Sequence, residues 1–396
     1  MGKQRMNPNG YYSVNGIEFD NKLSALIRAS ELNTEVKWHY FDNVFKTTKN
    51  NNLLVDTNIE QVYKIRAQHL RDSYDYLILN YSGGSDSHNI LHTFLKNNIK
   101  LDCIYIQWPE RLMDKGLFKV NAEDKTTFNF HSEWELVLKK DLEWLAHAHP
   151  EIKIELFDWL DCVDENFYTD KIFEQNVSNL PSMARSIKQN NYSKTETEQA
   201  GRGRRVASIF GIDKPNVVKH QSKWYYFFVD TAFMAQPNPN NPNGLEYFYN
   251  TPSFPELTII QCKKLANWYD SNPNHLYLAR SRPDRIAENP AIANFTHRQN
   301  MDEYHQMAEI SKLVCYPYWN FTRFQAEKPF SVLDNLQLGV RAWDNILHSL
   351  PKFKRAQQSW EYHWTSYLNN IDIVKMRSKD TVPFIRSIYY PLINNI

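Results

Sequence analysis

The sequence has no cysteines spaced for metal binding, almost no net charge and no long apolar run, and each absence removes a class of function. Its four cysteines, Cys103, Cys162, Cys262 and Cys315, stand far apart in 396 residues and form no C-x-x-C pair. Neither a zinc ribbon nor an iron–sulfur run is written here, and a reduced cytoplasmic protein is expected. A formal net charge of +1 supplies no overall pull toward nucleic acid or an anionic membrane, although it leaves room for a local basic patch. The opening stretch MGKQRMNPNG lacks the apolar core of a signal peptide, and Met6 stands where a myristoylation signal wants Ser or Thr. No unbroken apolar run approaches the roughly eighteen residues of a membrane span, so a soluble protein without a membrane partner is expected.

What is present is a globular composition. A hydrophobic share of 42% with 14% aromatics is ample for a packed interior. At 396 residues the chain exceeds the usual size of one core, which calls for two domains or one domain with a large appendage. The run YYSVNGIEF places Asn-Gly between two short β-rich pieces, the strongest local hairpin signal, and KLSALIRASEL continues with a helical apolar period. Residues 1–55 are therefore expected to form a small β-α module.

From residue 56 the pattern alternates. A helical segment with Val62, Ile65 and Leu70 runs into YLILNY, a buried strand, and after a loop Ile90, Leu91, Phe94 and Leu95 give the spacing of a helix lying on a sheet. LDCIYIQW is a second strand, SEWELVLKKDLEWLAHAH a helix and IKIELFDW a third strand; RVASIFGI and KWYYFFVD supply two later candidates. Residues 56–235 are thus expected to be an α/β domain with a parallel sheet and right-handed crossovers. The run AQPNPNNPNGLEYFYNTPSFPEL, dense in Pro and Asn, is expected as a loop or domain junction. Beyond it PELTIIQCKKLANWYD, NMDEYHQMAEISKLV and DNLQLGVRAWDNILHSL carry helical spacing, so residues 236–396 are expected to be mostly helical.

The stretch LILNYSGGSDSHNIL, Leu77 to Leu91, joins the first of these strands to its helix. Directly after a buried parallel strand the chain must turn sharply, and Gly83 and Gly84 permit both the turn and close approach of a bulky anion. Backbone N–H groups, the positive end of the following helix and the hydroxyls of Ser82, Ser85 and Ser87 then suit a phosphate. The motif S-G-G-x-D-S, Ser82 to Ser87, resembles the PP-loop of the N-type ATP pyrophosphatases, the group containing asparagine synthetases, GMP synthetases, NAD synthetases and tRNA-modifying ligases. It lacks the G-K-[ST] ending of a Walker loop. The wider stretch from Ile59 to Trp108 also resembles uncharacterised virus-encoded PP-loop proteins.

The resemblance implies a Rossmann-like sheet of the PP-loop (HUP) type and ATP with Mg²⁺ as cofactors. Residues Ser82 to Ser87 would hold pyrophosphate, Asp86 would serve the metal and the catalysis, and Ile104 to Gln107, Ile106 among them, would meet adenine. It also implies adenylation, in which a substrate oxygen attacks the α-phosphorus and pyrophosphate leaves. Positive charge must meet the charge that builds on the phosphates. GRGRRVASIFGIDKP offers Arg202, Arg204 and Arg205 before a strand and Lys214 just after it, at the strand end where open α/β sheets bind ligands. WNFTRFQAEKPF offers Arg323 and Lys328 among aromatics. Lys214 and Lys328 are the expected catalytic cations, and Arg202 and Arg205 the expected nucleotide contacts.

His88 and His92 have the i, i+4 spacing of a metal pair without the glutamate of H-E-x-x-H, so a solvated or packed pair is the simpler expectation. The chain lacks the C-x-x-C of sulfur-transferring relatives, and it opens Met-Gly-Lys where an asparagine-synthetase-type glutaminase has its cysteine. The expected function is an ATP-dependent ligase or amidating enzyme that activates a carboxylate or carbonyl oxygen for C–N bond formation. Its nitrogen would be ammonia, a substrate amine or the delivery of a partner protein. Modification of a nucleobase in tRNA or DNA and a non-catalytic nucleotide-binding module are the alternatives.

Overall fold

A computed structural model describes residues 7–48, 57–108, 138–158, 192–212, 215–230, 233, 235–294, 297–319 and 385–392. Cys162, Lys214, Arg323, Lys328 and the segment 334–350 lie outside the described residues.

The amino-terminal hairpin forms as expected. Strands β1 (Tyr11–Val14) and β2 (Ile17–Phe19) pair antiparallel around Asn15 and Gly16, both at positive φ (49° and 83°), as a two-residue hairpin turn requires. Helix α1 (Lys22–Glu31) begins at Asn21, whose side chain accepts from the Ser24 N–H. Strand β3 (Lys37–His39) joins β1 on its other edge, and the short helix α2 (Asp42–Thr47) follows.

Helix α3 (Ile59–Ser73) starts at the Asn58 cap and buries Val62, Tyr63, Ala67 and Leu70. It delivers the chain to β4 (Tyr76–Asn80), whose three central residues are fully buried, as a parallel strand covered on both faces demands. Helix α4 (Ser85–Lys96) crosses to β5 (Cys103–Gln107), helix α5 (Lys139–Ala148) precedes β6 (Lys153–Phe157), and helix α6 (Lys194–Gly201) precedes β7 (Val206–Phe210). A further strand, β10 (Leu245–Tyr247), pairs with β7, Leu245 opposite Ser208. The result is a five-stranded parallel sheet in the order β10-β7-β4-β5-β6. Counted along the chain within this sheet the order is 3-2-1-4-5 read from β6, a Rossmann-like arrangement.

The two faces of the sheet are distinct. Leu77, Leu79, Ile104, Ile106, Ala207 and Ile209 pack with α3, α4 and α5 in the larger core, whereas Ile78, Cys103, Tyr105 and Val206 face Ala200 of α6. A second sheet holds β8 (Asn216–His220) and β9 (Lys223–Phe227), an antiparallel hairpin closed by Gln221 and Ser222 at positive φ, with β11 (Tyr390–Pro391) on its edge. The expectation that KWYYFFVD extends the parallel sheet is therefore corrected: a two-residue turn returns the chain on itself and leaves no crossover. The missing strand is β10, three residues long inside the Pro- and Asn-rich run expected to be a loop or domain junction.

Helices α7 (Pro255–Ser271), α8 (Pro273–Ala279), α9 (Arg282–Glu288) and α10 (His297–Cys315) follow. Their apolar residues Ile259, Leu265 and Tyr269 share one core with Tyr12, Trp38, Tyr226 and Tyr390. The buried pair Lys22 Nζ to Asp230 Oδ2 at 2.6 Å ties α1 to the segment after β9. The amino-terminal sheet, the second sheet and α7 thus share one interior, and β10, beyond residue 235, completes the parallel sheet. Among the described residues no helix is long and apolar enough to cross a membrane.

Candidate functional site

From β4 the chain moves outward through β5 and β6, then returns past its starting point to β7 and β10. Strand order reverses between β4 and β7, and open α/β sheets bind ligands in the crevice at the carboxyl ends of such a pair. A cavity of about 500 Å³ lies there. Asn80, Tyr81, Ser82 and Ser87 border it from the β4–α4 turn, Phe210, Gly211 and Ile212 from the end of β7, and Tyr105, Gln107 and Trp108 from the end of β5. Ser193 and Glu196 close it from the start of α6.

Gly83 makes the turn. Its φ of +73° is a left-handed conformation that a β-carbon resists, while Gly84, at φ −73° and ψ 163°, caps α4 in an extended conformation open to any residue. A Cβ on Gly84 would meet only the Ser82 Oγ, at 3.3 Å. The loop also holds itself. The Ser82 N–H donates to Ser87 Oγ (3.2 Å), the Gly84 N–H to Ser82 Oγ (3.3 Å), and Ser87 Oγ to the Gly84 carbonyl (3.2 Å). Gly211 completes the crevice, because a Cβ there would lie 3.0 Å from the Asp86 carbonyl carbon and 3.1 Å from the Ser87 nitrogen. Its missing side chain lets the end of β7 press against the first turn of α4.

Asp86 stands in that first turn but is not among the residues lining the cavity. Its Oδ1 accepts from the Tyr316 hydroxyl at 2.5 Å, and its carbonyl accepts from Tyr249 at 2.8 Å. Burial, reinforced by the Asp86 charge, holds the Tyr316 and Tyr249 hydroxyls well above their ordinary pKa, which keeps both as donors. The two rings stack at 5.2 Å, so α4 is clamped to the end of α10. Behind the loop, the Tyr81 hydroxyl donates to Asp141 Oδ2 of α5 (2.6 Å) and lies 3.3 Å from His88 Nδ1. His88 and His92 pack ring to ring, and His92 stacks on Trp144. No group of three or more His, Cys, Asp or Glu that could hold a metal occurs among the described residues.

Of the expected nucleotide contacts, the structure brings Ser82, Ser87, Ile106 and Gln107 to one cavity. Ile104 is corrected. It is fully buried in the core deeper along β5, and the cavity wall there is formed by Tyr105, Ile106 and Gln107. Arg202 and Arg205 are corrected as well. Arg202 caps the far end of α6, and Arg205 binds Asp75 (2.9 Å) just before β4, so both sit at the amino end of a sheet whose carboxyl end carries the loop.

Among the polar cavity residues that were not anticipated, three stand out. Asn80 and Ser208 are polar residues inside otherwise apolar parallel strands, and Asn80 Nδ2 donates to Ser208 Oγ at 2.9 Å. That departure from the strand pattern was the signal available. Glu196 gave a different cue, since Ser193-Lys194-Thr195-Glu196 spells a capping box and locates a helix start without revealing a site. Its buried carboxyl accepts from Asn241 Nδ2 at 2.8 Å, and burial pushes its pKa up against the pull of the Asn241, Asn238 and Ser208 hydrogen bonds. No family model matches the chain, and neither a curated protein nor a solved structure matches it.

Proposed function

We propose that the cavity binds ATP with its terminal phosphates on the Ser82–Ser87 loop, in a PP-loop domain of the HUP type, and that the protein is an AMP-forming ligase. The observation that supports this most is the place of the glycine turn: it ends a fully buried strand, opens a helix and borders a cavity at the point where strand order reverses. A volume of about 500 Å³ is in the range of small-molecule sites. Ser82 and Ser87 face it with hydroxyls, and the first turn of α4 directs its dipole at the same place.

The implied Mg²⁺ fits a modest protein contribution, because this ion is commonly held by phosphate oxygens, water and one or two carboxylates. Asp86 is the carboxylate at the loop and the one proposed to approach the ion, with Tyr316 holding its Oδ1. When bound, the ion supplies charge stabilisation on the phosphates. This chain's residues have the remaining tasks: the loop grips the β- and γ-phosphates as a unit, and Gly211 keeps the turn and α4 in register. The α-phosphorus is left open to a carboxylate or carbonyl oxygen of the acceptor.

The clamp by Tyr316 favours a second reading, a nucleotide-binding module without turnover, in which Asp86 only anchors α10. The two separate on Asp86→Asn. An Asn side chain still accepts from Tyr316 but gives Mg²⁺ no charge, so in a ligase ATP turnover falls by about 10²-fold while ATP binding holds. AMP and pyrophosphate are the expected products, with ¹⁸O passing from the activated oxygen of the acceptor to AMP. ADP and inorganic phosphate as primary products would overturn the ligase, and binding without turnover across candidate carboxylates would leave the module.

A further inference from the structure

We infer that Glu196 reads the base of the bound nucleotide, accepting a hydrogen bond from the exocyclic amine of adenine. The inference rests on the cavity being a nucleotide site and goes beyond it to the choice of nucleotide.

Glu196 enters the cavity from α6, on a different wall from the glycine loop. Its sequence position suits a capping box, yet its carboxyl is engaged by Asn241 instead. Glu155 of β6 accepts from Ser193 Oγ (2.7 Å), the Lys194 N–H (2.7 Å) and the Thr195 N–H (3.1 Å). The start of α6 therefore has its carboxylate without Glu196. The carboxyl of a glutamate that is 3% exposed is costly to keep unless its oxygens are occupied. Here the donors are neutral: Asn241 on Oε1, with Asn238 and Ser208. A carboxylate accepts about four hydrogen bonds and the Asn241 bond fills one of these positions, so room remains for a ligand N–H.

The apolar lining of the cavity fits a planar heterocycle. Phe210, Ile212 and Leu245 supply apolar surface to the same cavity, and in such surroundings one hydrogen bond discriminates strongly. Guanine would present two adjacent donors, N1–H and the 2-amino group, and ask for both carboxylate oxygens. Asn241 already occupies Oε1, so the single 6-amino group of adenine is the better match.

Calorimetric titration of the full chain with ATP, with purine riboside triphosphate (which lacks the 6-amino group) and with GTP tests this. Wild-type protein should bind ATP about tenfold or more tightly than the purine analogue, and more tightly than GTP. In Glu196→Ala that preference should collapse to within about twofold, through weaker ATP binding with the analogue unchanged. Glu196→Gln, the isosteric variant, should reduce the preference at least about threefold, because a neutral acceptor is roughly half as strong. Equal wild-type affinity for ATP and the analogue, tighter binding of GTP, equal losses of both ligands in Glu196→Ala, or an undiminished preference in Glu196→Gln would each overturn the inference while leaving the nucleotide site standing. Failure of wild-type protein to bind any of the three would overturn the nucleotide site itself, and the inference with it.

Discussion

At the amino ends of its strands the parallel sheet is closed by charge. Asp75, before β4, holds Arg205 through side chain and backbone, and Asp102, before β5, takes Arg71 at 2.5 Å and Lys100 at 2.8 Å while its Oδ2 accepts the Leu77 N–H at 2.9 Å. At the carboxyl ends of the same strands the chain presents Gly83, Gly211, Asn80, Ser82 and Ser87 around open space. One end uses ion pairs to pin strand starts; at the other, neutral Asn80, Ser82 and Ser87 and two glycines stand, with the Glu196 carboxyl, where something else can approach. In a parallel sheet all strands point the same way, so the division holds across the whole edge, and the basic cluster Arg202–Arg205 belongs to the closed end.

The sharpest way to break this contrast is at the turn. Gly83→Val puts a β-branched residue at a φ of +73°, which costs about 1–2 kcal/mol for any Cβ and more with branching. The loop must move to relieve it. ATP affinity should fall on the order of 10²-fold, measured by calorimetry on a protein that still unfolds cooperatively. Gly84→Ala is the internal control and should bind ATP almost as the parent does, since its backbone is extended and its Cβ would meet one serine hydroxyl. Comparable losses in the two variants would show that crowding, not conformation, governs the loop.

Next in size is Gly211→Ala. Its Cβ would lie 2.9 Å from Ile90 Cδ1 and about as close to the backbone of Asp86 and Ser87. The side chain of Ile90 can give, but the helix backbone cannot, so overpacking of about 1–3 kcal/mol is expected. Thermal unfolding should register the loss, and ATP affinity should fall with it, because α4 carries the loop. A stable variant with weakened binding would place Gly211 in the site; a destabilised one with intact binding would confine it to packing.

How much of this was legible in the sequence follows from how far apart the partners lie. The Asn15-Gly16 hairpin, the α3–β4 unit and the glycine loop are local, and their residues sit where the sequence places them. Strand β10 was not legible: three residues among prolines carry no pattern of their own, and only pairing with β7 makes them a strand. Glu196 was not legible as a cavity residue because the groups around it, Asn241 and Ser208, belong to distant segments. The ends of the sheet were legible and were misjudged. Residues that precede a parallel strand must lie at its amino end, so Arg202 and Arg205 could be excluded from the loop by strand direction alone. Lys214 and Lys328 lie outside the described residues and keep only their standing in the sequence.

A smaller effect concerns Glu196 and has a definite sign. Its pKa is raised by burial, so the folded state holds the proton more tightly than the unfolded chain does. Between the ordinary carboxylate value and the raised one, stability must then fall as pH rises. Glu196→Gln removes that titration. The variant's melting temperature should match the parent's in acid and exceed it increasingly through the window, then by a constant margin above. A parent curve that stays flat through the window would mean that the Asn241, Asn238 and Ser208 donors balance burial, and a variant less stable near neutrality that they outweigh it.

The smallest effect is expected at the closed end, and it sharpens the contrast by its size. Arg205→Ala should leave ATP affinity within about twofold of the parent, since the guanidinium is bound to Asp75 at the amino end of β4 and β7. What it should change is Asp75. The Arg205 hydrogen bonds hold that carboxyl at about 2, so a contribution to stability is present above the ordinary carboxylate pKa and is lost as pH falls from there through the lowered one. Without Arg205 the carboxyl should titrate near its ordinary value, which NMR of the Asp75 side chain would follow, and the acid limb of the stability curve assigned to it should vanish. The pair is exposed and therefore screened, so this change should shrink in high salt. A marked loss of ATP affinity in Arg205→Ala would break the division between the two ends, because it would require the nucleotide, or a partner acting through it, to reach the edge of the sheet that charge already closes.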